Sequence, residues 1–168
     1  MKSNVKKLTL TGVLTALATL SFVLESLFPP LFLPGARLGI SNLFIMLCLI
    51  LCGIKYGAFC LVVKVLLSSL FSGNLSSIMY SLPAGLISLI LQAVLLYLVK
   101  SSFIATSVSG AVVNTVVQNA VFCLITRTSE YLYYSPYLAL ISIISGLIVG
   151  FAVYLTIKIL PEKFLREL

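Results

Sequence analysis

The segment PGARLGISN, residues 34–42, is a short polar gap between two long apolar runs. It combines one cation, Arg37, with two glycines. The apolar run before it ends at Pro29 and Pro30, because proline cannot continue the hydrogen-bond ladder of a helix. The second run begins at about residue 38. The segment therefore predicts the connection between two helices, with a fresh helix start at its end.

The composition predicts a membrane protein. Of the 168 residues, 61% are hydrophobic and 9% are charged, and the mean hydropathy is +1.21. Because a bilayer core needs about 20 consecutive apolar residues per spanning helix, the length leaves room for about six helices. We predict a single all-α transmembrane domain over residues 1–168, built as a six-helix bundle. Its helices are expected at about residues 8–28, 38–54, 57–71, 78–98, 103–126 and 137–160. The fourth is expected to be broken near its start at residues 83–85.

Lysine and arginine residues predict how this bundle is oriented. One end of a six-helix path receives eight of them: Lys2, Lys6, Lys7, Lys55, Lys100, Lys158, Lys163 and Arg166. The other end receives Arg37 and Arg127, and Lys64 falls in mid-membrane. Because cytoplasmic loops are enriched in these residues, we expect both termini in the cytoplasm of a multi-pass protein of the cell membrane. The net charge of +7 belongs to helix ends, so nucleic acid is not an expected partner.

Polar residues inside the predicted spans mark a candidate binding site. Lys64 lies at the middle of the third span, where a charge costs about 2.5–3.5 kcal/mol unless it finds a partner or water. Asn114 and Gln118 lie one turn apart on the fifth span. The predicted topology turns these and other polar groups toward the outer end of the bundle. The predicted substrate-binding set is Glu25, Arg37, Ser41, Asn42, Lys64, Asn74, Asn114, Gln118 and Arg127.

Each of these cations has a structural alternative. Arg37 precedes the start of the second helix, whose unpaired N–H groups favour an anion, so a carboxylate or phosphate on the cargo is one hypothesis. Contact with lipid headgroups or a salt bridge to Glu25 is the other. Lys64 has a similar alternative, a purely structural pairing with Glu25 or with the amides of the fifth span. The four tyrosines between residues 131 and 137 predict either an interfacial aromatic belt or a lid over a site.

Several enzyme and metal classes are excluded by residues that the sequence lacks. It contains no Asp and no His, and its four Glu residues form no pair. A carboxylate dyad, a catalytic histidine and aspartate-bound magnesium are therefore not available. The four cysteines lie inside apolar runs, so we expect small buried core residues. We predict no catalytic residue, no metal site and no bound cofactor.

Five segments resemble the Gx transporter family, whose members are often labelled heptaprenyl diphosphate synthase component I. The resemblance covers nearly the whole chain, and its most specific part is the Pro-Gly-x-basic-Leu-Gly-x-x-Asn pattern of residues 34–42. The other segments are LTALA at 14–18, KVLLSSL at 64–70, SLPAGL at 81–86 and GAV at 110–112. One departure is Asn114-Thr115, where we expect the family to carry His-Asn. The family in turn resembles the substrate-binding S components of energy-coupling factor (ECF) transporters.

The resemblance implies both a function and partners. An S component of a prokaryotic plasma membrane captures a small molecule from outside, here vitamin-like or anionic. It then docks on a coupling transmembrane subunit that works with two ATPase subunits, and this chain has no ATP-binding loop of its own. S components dock through small residues of the first helix, which correspond to Gly12, Ala16 and Ala18. The synthase label conflicts with the chemistry, because prenyl synthases bind diphosphate through Asp-rich motifs and magnesium.

Two further functions remain open from the sequence. Members of the family are implicated in flavin-based extracellular electron transfer and quinone-linked loci, which implies a membrane partner in such an assembly. No residues here resemble a cofactor ligand set. The second alternative, a membrane enzyme that processes prenyl or other lipids, is disfavoured by the missing aspartates and histidines.

Overall fold

The computed structural model describes residues 2–27 and 39–161, and this part of the chain is entirely helical apart from its connections. The six α-helices are α1 (Lys2–Leu27), α2 (Ile40–Cys52), α3 (Ile54–Phe71), α4 (Ser77–Tyr97), α5 (Phe103–Thr126) and α6 (Ser135–Ile159). A 3-10 helix, Ser129–Tyr134, lies between α5 and α6. The all-α prediction and the number of helices are confirmed for these residues. Arg37, Pro29 and Pro30 lie outside them.

Five of the described helices are long and apolar enough to cross a membrane, namely α1, α3, α4, α5 and α6. Helix α2 has 13 residues, which corresponds to roughly 20 Å at 1.5 Å per residue. The hydrocarbon core of a bilayer is about 30 Å thick. The structure therefore supports five full spans and one shorter apolar helix, rather than the six full spans predicted.

Helix α2 begins inside the bundle, next to the middle of α6. The residue before it, Gly39, has a left-handed conformation with φ 69°. A Cβ placed on Gly39 would lie 3.1 Å from Oγ of Ser145. Ser145 follows the first residue of α6 by ten positions, which is roughly 15 Å along that helix. Helix α2 thus starts beside the middle of α6, which limits its length within the bundle.

Glu25 near the end of α1 holds the start of α2. The backbone N–H of Ile40 donates to Oε1 of Glu25 at 2.6 Å, and that of Gly39 donates to Oε2 at 3.2 Å. The first N–H groups of a helix have no partner within the helix, and the positive end of the helix dipole favours a carboxylate. Glu25 therefore supplies the cap that α2 needs inside an apolar environment.

Neighbouring helices run antiparallel, as short contacts between them show. Sγ of Cys52 in α2 lies 3.8 Å from the carbonyl oxygen of Lys7 in α1. Nδ2 of Asn119 in α5 donates to Oγ of Ser135, the first residue of α6, at 3.0 Å. This topology brings one group of lysines to the same end of the bundle, called here the lysine end. Its members are Lys6, Lys7, Lys55, Lys100 and Lys158.

The opposite end of the bundle, called here the tyrosine end, carries Arg127 and the 3-10 helix. Tyr133, Tyr134 and Tyr137 are exposed by 53–80% at this end. Exposed tyrosines at one level fit the predicted aromatic belt better than a lid over a closed site.

Glycines allow the closest helix contacts. A Cβ on Gly146 would lie 2.7 Å from Cα of Val108, and one on Gly150 would lie 2.8 Å from Cα of Ile104. Both glycines belong to α6 and press on the backbone of α5. The G-x-x-x-G spacing of α6 is thus used to pack these two helices face to face. All four cysteines are buried, as predicted.

Two local predictions were wrong. The sequence predicted a break in the fourth helix at residues 83–85, whereas α4 is continuous and contains Pro83. Membrane helices tolerate proline because local adjustments and neighbouring groups satisfy the backbone oxygen that it frees. The predicted gap between the second and third helices is also absent, since Gly53 alone separates α2 from α3 with φ 98°.

Glu25→Gln is expected to destabilise the bundle. The substitution replaces the negatively charged carboxylate, which accepts two backbone N–H groups, with a neutral amide. Hydrogen bonds to charged groups contribute about 1.5–3 kcal/mol, so the free energy of unfolding should fall by about that amount. Hydrogen exchange in detergent micelles should speed up at the amides of Gly39 and Ile40. The matched control is Ser26→Ala, because that hydroxyl bonds only within α1, to the carbonyl of Val23 at 2.7 Å. Unchanged exchange at Gly39 and Ile40 in Glu25→Gln would contradict the cap.

Candidate binding cavity

A small polar cavity lies beside the start of α2, where four helices meet. It is lined by Gly39, Asn42, Met46, Gln92, Ser107, Ala111, Ser145, Gly146 and Val149. Its volume, measured as the space open to the centre of a water-sized sphere, is about 10 Å³. That is room for about one water molecule. A larger guest therefore does not fit this conformation of the described residues.

Four side chains give the cavity its hydrogen-bonding capacity. Asn42 and Gln92 contribute amides, each with two donor hydrogens and one acceptor oxygen. Ser107 and Ser145 contribute hydroxyls. Within residues 2–27 and 39–161, neither amide has a hydrogen-bond partner. Amides in a dry interior are costly without partners, so the cavity is suited to a guest that supplies them.

The Gln92 side chain lies against Gly110 of α5, where no side chain occupies the space. Only 8% of Gln92 is exposed, and a Cβ on Gly110 would clash with its Nε2. One turn earlier on α4, Oγ of Ser88 donates to the carbonyl oxygen of Gly110 at 2.8 Å. The missing side chain at Gly110 thus creates the space in which the Gln92 amide lies.

Gln92 lines the cavity but is absent from the predicted set. The signal was present, because Gln92 is the one amide in the apolar sequence of α4. Amides in a membrane span need partners or a cavity, and the same reasoning had already been applied to Asn114 and Gln118. Among the members of the predicted set that the structure describes, Asn42 alone lies in the cavity wall.

Glu25 occupies the position that the sequence analysis assigned to an anionic cargo. Its carboxylate already accepts the N–H groups of Gly39 and Ile40. An anion that bound there would have to displace Glu25. Arg37, the cation of that hypothesis, lies outside the described residues. The start of α2 is therefore a wall of the cavity rather than an open anion site.

Lys64 and Ser41 are buried, with 8% and 3% of their surface exposed. Nζ of Lys64 lies 5.0 Å from the ring centroid of Phe22 in α1. An ammonium group in this position is attracted to the face of the ring. Phe22 precedes Glu25 by three residues, so Lys64 stabilises the same part of α1 that caps α2. Neither Lys64 nor Ser41 lines the cavity.

The other predicted residues lie closer to the tyrosine end. Asn114 and Gln118 are half-buried, and their spacing from Ser107 puts them on the same face of α5. They form a polar stripe that extends from the cavity toward the tyrosine end. Asn74 and Arg127 are exposed at that end and do not line the cavity.

The predicted docking residues on α1 do not share one face. Gly12 and Ala16 are exposed, and nothing lies within 4 Å of a Cβ placed on Gly12. Ala18 has no exposed surface. Two positions after Ala16 correspond to about 200° around a helix of 3.6 residues per turn, which turns Ala18 into the core. The exposed small-residue surface of α1 is therefore limited to Gly12 and Ala16.

Comparisons with known proteins identify the family of the chain. A family model described as heptaprenyl diphosphate synthase component I matches residues 14–156. The match extends from α1 to α6 and includes every residue that lines the cavity. No curated protein and no solved structure matches the chain. The resemblance predicted from the sequence is confirmed, and the chain belongs to the heptaprenyl diphosphate synthase component I family.

Proposed function

We propose that the chain is the substrate-binding membrane subunit of an ECF-type transporter, which captures a small polar molecule from outside the cell for uptake. The observation that carries the proposal is the cavity beside α2, in which two amides and two hydroxyls face one another inside an apolar bundle. Small-molecule sites have this character, with a few fixed polar groups in a mostly apolar pocket.

The cargo that suits this cavity offers both hydrogen-bond donors and acceptors. Asn42, Gln92, Ser107 and Ser145 carry no charge, and none of the described residues that line the cavity is charged. A neutral polar part of the cargo therefore binds here. A negative group on the same molecule would have to reach Lys64 or Arg37, outside the cavity wall that is described.

The polar stripe on α5 supports capture from the tyrosine end. Gln118, Asn114 and Ser107 lie on one helix face and lead to the cavity. The tyrosine end is poor in cations, whereas the lysine end is rich in them, and positive charge favours the cytoplasmic side. The tyrosine end then faces the outside of the cell, and a cargo that enters from that end comes from outside.

The name of the family mentions a synthase, but the residues favour binding over catalysis. The sequence has no Asp and no His, so it lacks the Asp-rich motif that holds magnesium and diphosphate in prenyl synthases. The lining that the structure describes contains no titratable side chain that would move a proton during a reaction. We therefore propose a non-catalytic subunit.

Gln92→Leu is expected to abolish cargo retention. The leucine removes the donors and acceptor of the amide while keeping a similar volume, and loss of such contacts should lower the bound fraction about tenfold. Native mass spectrometry of the protein purified from membranes would measure the mass and the amount of the bound small molecule. Gln118→Leu is the matched control, because that amide lies on the path and not in the cavity wall.

The proposal fails if the wild-type protein carries no small molecule, or if Gln92→Leu retains as much as the wild type. If Gln118→Leu loses the bound molecule and Gln92→Leu retains it, the binding site lies at the amides of α5 and not in the cavity.

Gly12→Trp is expected to weaken the association with a coupling subunit. A Cβ at Gly12 meets nothing within 4 Å, so the indole projects from the bundle and interferes with a partner instead of with the fold. Co-expression with a coupling subunit and two ATPases, followed by affinity purification, should recover several-fold less partner. Ile144→Trp is the control, because Ile144 is 62% exposed on a different helix. Equal recovery from both variants would contradict docking through α1, and recovery of flavin- or quinone-handling proteins instead would favour the electron-transfer alternative.

A further inference from the structure

A second concave surface lies on the outside of the bundle at the tyrosine end, separate from the cavity. It is lined by Ala120, Cys123, Leu124 and Arg127 along α5 and by Leu132 of the 3-10 helix. This groove has a volume of about 480 Å³ and is open along one side. Its walls are apolar except at Arg127.

The groove runs along α5, so it has the orientation that a lipid acyl chain takes across the membrane. Positions 120, 123, 124 and 127 fall on one face of α5, and they cover roughly 10 Å along the helix axis. Arg127 lies at the end of α5, where the exposed Tyr133 and Tyr134 mark the level of the membrane interface. Ala120 lies two turns deeper. The groove therefore extends from the interface into the hydrocarbon, with its cation at the interface.

Arg127 is available to a ligand. It is exposed, and it ends α5 in a left-handed conformation with φ 54°. Among the described residues it has no hydrogen-bond or ion-pair partner. The guanidinium group offers planar pairs of donors that match the oxygens of a phosphate. The charge of Arg127 is thus complementary to the headgroup of an anionic lipid.

We propose that this groove binds an anionic phospholipid of the surrounding membrane, with its phosphate on Arg127 and an acyl chain against Ala120, Cys123 and Leu124. This assigns to Arg127 a ligand other than the cargo. The proposal does not depend on the transport function, because the groove and the cavity share no residue. A merely structural Arg127, acting on the negative end of the α5 dipole, would give the site no preference among lipids.

The chain contains no tryptophan, so a single Tyr133→Trp substitution creates a fluorescent reporter beside the groove. Tyr133 is 80% exposed and does not line the groove. The reporter protein would be placed in vesicles that mix phosphatidylcholine with phosphatidylglycerol, one of which is brominated to quench the fluorescence. Quenching at several compositions gives the binding preference at the reporter. We expect phosphatidylglycerol to be preferred about fivefold, since one cation near the surface contributes about this much.

Variants in the reporter background separate the headgroup contact from the chain contact. Arg127→Gln should abolish the preference, and Arg127→Lys should keep part of it. Ala120→Phe fills the deep part of the groove and should reduce the preference while Arg127 remains. Lys100→Gln is the matched control, because Lys100 is also exposed with φ 54° after a membrane helix but lies at the lysine end. It should leave the preference unchanged.

Four results would overturn the proposal. The first is equal binding of the two lipids in the reporter protein. The second is a preference that survives Arg127→Gln, and the third is a preference that Ala120→Phe does not change, because the groove would then contribute nothing. Weak quenching by both lipids, together with a dimer of the reporter protein, would also overturn it by showing that a second copy covers the groove.

Discussion

The first backbone N–H groups of a helix have no partner within the helix, and within a membrane each one left unpaired costs several kcal/mol. Glu25 removes this cost for α2 by accepting the N–H groups of Gly39 and Ile40. The start of α2 can therefore lie beside the middle of α6. Because α2 is short, the space around its start is lined by side chains from α4, α5 and α6, and that space is the cavity.

Small residues make this arrangement possible. Gly146 and Gly150 bring α6 against the backbone of α5, while Gly110 leaves room for the Gln92 amide. In both places a glycine leaves out a side chain. The glycines of α6 allow close packing on α5, and Gly110 of α5 leaves room for a polar group of α4. The cavity is small in this conformation, so the proposed cargo would need more room than the described residues leave, and a movement of α2 against its neighbours would supply it. Coupling of cargo binding to such a movement is what a subunit needs if cargo is to change how it fits a partner.

Much of the architecture was predictable because it depends on local chemistry. Apolar run lengths predicted the six helices, and the alternating direction of successive helices predicted which helix ends lie together. The shortness of α2 was not predictable, since it depends on a contact between Gly39 and Ser145 that are far apart in sequence. Pro83 was assigned to a break because its tolerance depends on its surroundings in three dimensions.

The site was predicted less well than the fold, for the same reason. Asn42 was identified from the polar gap, but Gln92 joins it only through the packing of α4 on Gly110. Glu25 was predicted as a ligand group, and in the structure its carboxylate accepts the N–H groups of Gly39 and Ile40. Ala18 was grouped with Ala16 by proximity in sequence, although the helix turns it into the core. Residue type indicated that these positions matter, and packing decided what each of them does.

The most direct measurement is an experimental density map of the protein purified from membranes with its bound molecule. The account predicts density for a small molecule that contacts Asn42 and Gln92, in a cavity enlarged by a shift of α2 away from α4 and α6. Density confined to the region of Asn114 and Gln118, or an unchanged cavity with the molecule bound elsewhere, would contradict it.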